Sequence, residues 1–180
     1  MSESTWVGSD FQEPPRTDGG VALCGACRKV GACRLGLTTE HLDESGTARF
    51  EITCPAEHEG GPGIAHGGWT AGVLDEVLGH VPLLHGQLSV TGTLTVRFLH
   101  PVPIERPLVA RAWVVSREAR KWHLEGELVL ASSGAVLATA VGIFVLRNAE
   151  SHFGGFQQWL SEQERAGGPG DRSTVEPASE

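Results

Sequence analysis

The segment WTAGVLDEVLGHV (69–81) constrains the fold more than any other part of the chain. Val73, Leu74, Val77, Leu78 and Val81 recur at three- and four-residue spacing, which predicts a helix. That helix is apolar nearly all round, so other elements must cover most of its circumference. Long strands follow it. QLSVTGTLTVRFL (87–99), PLVARAWVVSRE (107–118), KWHLEGELVLA (121–131) and AVLATAVGIFVLR (135–147) are bounded by the turn material HPVPIERP, EARK and SSG. Short links between the last three make them antiparallel neighbours. Ahead of the helix, TARFEIT (47–53) alternates Ala48, Phe50 and Ile52 with Thr47, Arg49 and Glu51, the pattern of a half-buried strand. One helix among these strands predicts an α+β fold in which a single sheet curls around the helix. A sheet of this kind leaves a long edge or an outer face to cover, and a second copy of the chain is the economical cover.

The 180 residues suit one domain with a sizeable core. Residues 1–20 read as a loose polar arm and 166–180 as a tail; 21–150 form the domain, and SHFGGFQQWLSEQER (151–165) reads as a C-terminal helix docked through Phe156, Trp159 and Leu160. The net charge of −8 is concentrated in the two ends, which gives no support to a nucleic-acid partner. No apolar run reaches the length of a membrane span, and the N-terminus has no signal-peptide pattern. A cytoplasmic location with reduced cysteines is the expectation.

Asp75 sits mid-helix, where aspartate is a poor helix former, along a stripe of small residues: Gly68, Ala71, Gly72 and Gly79. A helix carrying both features gives up stability, and a close approach by another chain or a thin ligand is one reason to do so. The turn GGPGIAHGG delivers the helix start, whose unpaired N–H groups at Gly67 and Gly68 suit a developing negative charge. An acyl carbonyl polarised at such a turn, with a carboxylate to activate water or attack directly, is the arrangement of acyl-group hydrolysis.

The stretch GPGIAHGGWTAGVLDEVLG (61–79) resembles the hotdog-fold acyl-CoA thioesterases of the PaaI-like kind, in which His-Gly-Gly opens the central helix and an acid lies nine residues after the His. His66 and Asp75 match that spacing, and VTGTLTVRFLHPVP (90–103) resembles the family's following strand, with Thr91 sixteen residues after the acid. His100 departs from the basic residue usual at the end of that strand. The resemblance spans about residues 35–147. It implies a hotdog fold, a curved antiparallel sheet wrapped around one central helix and dimerising through paired sheets, with active sites at the dimer interface. It further implies Asp75 as general base or nucleophile, and Gly68, with Gly67 beside it, as oxyanion donors. His66 would position the turn, and Thr91, from the partner subunit, would orient water. Trp69 would line an acyl channel, and Glu76 is the alternative acid. Acyl-CoA is the substrate so implied, with coenzyme A as part of the substrate, no separate cofactor, and a homodimer or dimer of dimers as the assembly. A non-catalytic acyl-CoA-binding module, or a hydrolase of carrier-bound acyl groups, is the alternative. The segments diagnostic of two other hotdog types, Asp-x-x-Gly-His-Val-Asn-Asn and His-Phe-Pro-Gly, do not occur.

CGACRKVGAC (24–33) spaces Cys24, Cys27 and Cys33 so that, with Cys54, a structural zinc is conceivable; only the first pair has knuckle spacing, and a loop of plain thiols fits as well. His41 and His58 are further conceivable ligands. The chemistry above requires no catalytic metal. Arg117, Arg120 and Lys121 cluster in SREARK, where they would hold coenzyme A phosphates or serve as a solvated hairpin turn.

Overall fold

The computed structural model describes residues 14–166. Its strands are β1 (Leu37–Leu42), β2 (Ala48–Thr53), β3 (Glu59–Gly61), β4 (Ile64–Ala65), β5 (Ser89–Phe98), β6 (Pro107–Glu118), β7 (Lys121–Leu130) and β8 (Val136–Leu146). Its helices are α1 (Gly67–Leu84) and α2 (Ala149–Ala166). Six strands make one sheet in the order β1-β2-β6-β7-β8-β5, every pairing antiparallel. β3 and β4 form a separate small ribbon leading into α1.

The alternation read in the sequence is the alternation of burial. β2 buries Ala48, Phe50 and Ile52, and β7 buries Trp122, Leu124 and Leu128. These residues meet Val73, Leu74, Val77, Leu78 and Val81 of α1, all fully buried, in one continuous core. The helix lies close to the sheet because glycines leave room for it. A Cβ on Gly126 of β7 would stand 2.7 Å from Leu78 Cδ1 and 2.9 Å from the Arg111 carbonyl oxygen. The expected α+β hotdog arrangement, one sheet around one helix, is therefore the observed one.

β1 does not show in the alternation pattern of the sequence. A register shift between Leu37 and Thr39 turns both Leu37 and Glu40 inward, three residues apart. The loose arm expected over 1–20 needs correction for its described part. Residues 14–20 are fastened to β1: Gly19 accepts the Glu40 N–H at 3.0 Å, and a Cβ on Gly19 would overlap the Thr38 carbonyl. The remainder of that arm, and the tail beyond 166, lie outside the described residues. The C-terminal helix forms, but its apolar stripe is not docked. Phe156 and Trp159 are about half exposed, and no residue of α2 is buried.

Candidate active site

Asp75 is carried on the middle of α1 and Thr91 near the start of β5, which packs against the helix. Thr91 Oγ1 donates to Asp75 Oδ1 at 2.7 Å. A hydroxyl spends its one proton on this bond, so the carboxylate keeps its second oxygen for another donor. Both residues belong to one chain, so the hydroxyl that was expected to orient water from a partner subunit here bonds the acid of its own chain. They open onto a cavity of about 630 Å³, walled by Gly79, His80, Phe144, Phe153 and the segment Ala22–Cys24 with Arg28.

Glu76, the alternative acid, lines the same cavity but is engaged by an imidazole. His80 lies one turn on, and its Nε2 is 3.3 Å from Glu76 Oε1 while its Nδ1 is 2.7 Å from Glu40 Oε2. Glu40 also pairs with Arg16 at 3.0 Å and accepts the Ala22 N–H at 3.2 Å. Burial by itself would lower the His80 pKa, but the hydrogen bonds and charges of Glu40 and Glu76 overcome it and raise it to about 9. Burial likewise opposes ionisation of Glu40, and the His80 bond with its neighbours holds that carboxyl below its usual value. This chain of charges was not legible in the sequence, where His80 had no evident partner.

The His-Gly-Gly turn stands elsewhere. His66 caps α1: its Nδ1 accepts the Gly68 N–H at 2.9 Å, and its carbonyl takes the Thr70 N–H at 3.2 Å. The Gly68 amide is therefore engaged by the His66 ring in this structure. Gly67 faces Phe98, whose ring would lie 3.8 Å from an added Cβ, in a shallow depression of about 350 Å³ shared with Leu99 and His100. Seven residues of helix separate Gly68 from Asp75, about 10 Å of axial rise. A thioester carbonyl must meet its oxyanion donors at about 3 Å with the activated water at bonding distance. One chain does not bring the two halves of the site together.

Other expected site residues lie apart from the cavity. Trp69 is 3% exposed, in the core near His58, and does not line an acyl channel in this chain. Arg117 stacks over Trp122 at 4.0 Å, Arg120 borders a groove under α2, and Lys121 is exposed at the start of β7. None of the three walls the Asp75 cavity; Arg28, which the sequence did not single out, does. Among the described residues no three His, Cys, Asp or Glu side chains are grouped to hold a metal, Cys24, Cys27, Cys33 and Cys54 included. Cys54 is buried at the end of β2, where desolvation pushes its thiol up to about 11. Cys24 is the exception: burial raises its thiol, but bonds from Cys27 and Ala26 outweigh this and bring it below its usual value.

Residues 62–136 match the family model of the thioesterase superfamily. Among solved structures, a thioesterase superfamily protein is 31% identical, with 59% of this chain aligned to 52% of that one at a TM-score of 0.55. The chain thus spans about half the length of that relative. The PaaI protein of the E. coli phenylacetic acid degradation operon is 25% identical over 67% of this chain and 83% of that one, at a TM-score of 0.58. A hypothetical thioesterase from Streptococcus pneumoniae TIGR4, solved with coenzyme A, shares the fold at 16% identity, covering 63% and 90% of the two chains, with a TM-score of 0.58.

Proposed function

We propose that this chain, whose residues 62–136 match the thioesterase-superfamily model, is a thioester hydrolase that cleaves an acyl-CoA to the free acid and CoA. The observation that carries this reading is the Asp75–Thr91 pair at the mouth of a cavity large enough for an acyl group. Thr91 fixes one oxygen of the carboxylate, and the other takes a proton from water as the water oxygen attacks the thioester carbonyl. The tetrahedral intermediate then collapses with loss of the CoA thiolate. Coenzyme A, held by a fold neighbour of the chain, is the leaving group the proposal adopts.

The oxyanion is met by the His-Gly-Gly turn of a second copy. β5 is an edge strand of the sheet, and its turn-side end carries Phe98 and Leu99, 58% and 44% exposed. Two copies running antiparallel along β5 and α1 set the acid end of each beside the turn end of the other. Gly72, midway between Gly68 and Asp75, leaves open space where a side chain would stand, so two helices can approach there. In that assembly His66 releases the Gly68 N–H to the oxyanion, or Gly67 supplies the donor.

The test is steady-state hydrolysis of a panel of short, long and aromatic acyl-CoAs, read by free thiol, for wild type, Asp75→Asn and Thr91→Val. Asp75→Asn should lose at least about 100-fold in kcat. Thr91→Val should lose about tenfold, as expected for one hydrogen bond to a charged group. Acyl-CoA that binds but is never turned over, or turnover only of carrier-bound acyl groups, would overturn the free-CoA reading.

A further inference from the structure

Two acids stand side by side on α1, and the structure treats them differently. His80 presents both ring nitrogens to carboxylates, Nδ1 to Glu40 at 2.7 Å and Nε2 to Glu76 at 3.3 Å. Only the imidazolium has two N–H donors; a neutral ring would set a lone pair against one carboxylate. Glu40 is pinned by Arg16 and the Ala22 amide, so the imidazole is held from the side away from Glu76. Arg16, Glu40, His80 and Glu76 then sum to no net charge. Asp75, by contrast, has a hydroxyl partner in Thr91 and no ion pair among the described residues.

We propose that His80 is a positioning residue that assigns the roles of the adjacent acids, neutralising Glu76 so that Asp75 alone serves the cavity as proton acceptor. The proposal rests on the thioesterase reading above for its chemistry. The groups that face the two acids are few. α1 supplies His80, β1 supplies Glu40, and the N-terminal segment supplies Arg16, Cys24, Arg28 and Cys33. β5 and β8 contribute Thr91 and Phe144, and α2 contributes Phe153, none of them charged. Removal of the His80 cation leaves Glu76 as an uncompensated negative charge on the wall of the cavity that Asp75 also lines, and a like charge disfavours ionisation.

The experiment is the pH profile of kcat/KM for wild type, His80→Gln, Glu76→Gln and the double variant. In parallel, the Asp75 carboxyl signal is titrated by carbon-13 NMR in the same four proteins. His80→Gln should move the acidic limb, and the NMR midpoint, up by about one pH unit, a roughly tenfold loss of kcat/KM below the limb. Adding Glu76→Gln should return both to the wild-type position. Glu76→Gln alone, at a partly exposed site, should move both to lower pH because the His80 cation is then left in excess. A His80→Gln profile lowered evenly at all pH values, or a shift that the double variant does not reverse, would overturn the assignment. Should no acyl-CoA be turned over by wild type, the thioesterase reading falls while the NMR midpoints still decide the role of His80.

Discussion

Stability should fall as pH rises from 6.5 to 9, and His80 should be the cause. The imidazole is buried and bridged by two carboxylates, which move it from its ordinary 6.5 to about 9. At about 1.4 kcal/mol per pH unit, that difference corresponds to about 3 kcal/mol of folding stability. The sign follows from proton counting: between the two values the folded chain holds a proton that the unfolded chain has released, so stability declines with pH. The contribution is complete below 6.5 and is lost as pH passes through about 9. On the acid side Glu40, held below its usual value by the same bond, contributes above 4.5 and loses its share as pH falls through its folded value.

Urea unfolding at fixed protein concentration, from pH 6 to 9.5, measures this directly. Wild type should lose about 2–3 kcal/mol across the window. His80→Gln should start lower by a similar amount at pH 6 and change little with pH, so that the two curves converge. The thiol of Cys54, pushed up to about 11, adds a further decline only above about 9 and is common to both proteins. A wild type–variant difference that stays constant from pH 6 to 9 would refute the reasoning, since it would mean that His80 contributes packing alone.

Two further outcomes follow from space in the fold. A Cβ at Gly72 meets nothing within 4 Å, so Gly72→Gln should raise helix propensity, leaving circular dichroism and thermal stability intact. It should nonetheless yield a monomer by sedimentation and abolish turnover; a fully active dimer would rule out helix contact at Gly72, and a fully active monomer would remove the second copy from the proposed site. Gly126→Ala should cost about 1–3 kcal/mol, because its Cβ would press Leu78 and the Arg111 carbonyl. A Tm lower by roughly 5 °C is expected, and an unchanged Tm would show that the helix can lift off the sheet freely.

Most of the sheet was readable because its strands obey the period-two rule: the boundaries expected for 107–118 are those of β6, 121–131 runs one residue beyond β7, and 135–147 exceeds β8 by one residue at each end. Glu40 was unreadable for a definite reason. In LTTEHL strict alternation sends Leu37 and Glu40 to opposite faces, and only the register shift after Leu37 brings both inward. A buried carboxylate that arises from a bulge leaves no periodic trace, so its partner His80 looked idle and Glu76 looked available. The helix misleads in the opposite way. Gly68 and Asp75 lie close in sequence, on one stripe, and read together as one site, yet a rise of about 1.5 Å per residue keeps them from a common carbonyl. The Asp75–Thr91 bond bridges elements that are distant in sequence and is made within the chain. The sequence neighbours Gly68 and Asp75, by contrast, meet on one substrate only in the two-chain assembly proposed above. In that proposed assembly the small-residue stripe between them is explained by the contact it leaves open: a side chain at Gly72 would improve the isolated helix and obstruct the approach of the second copy.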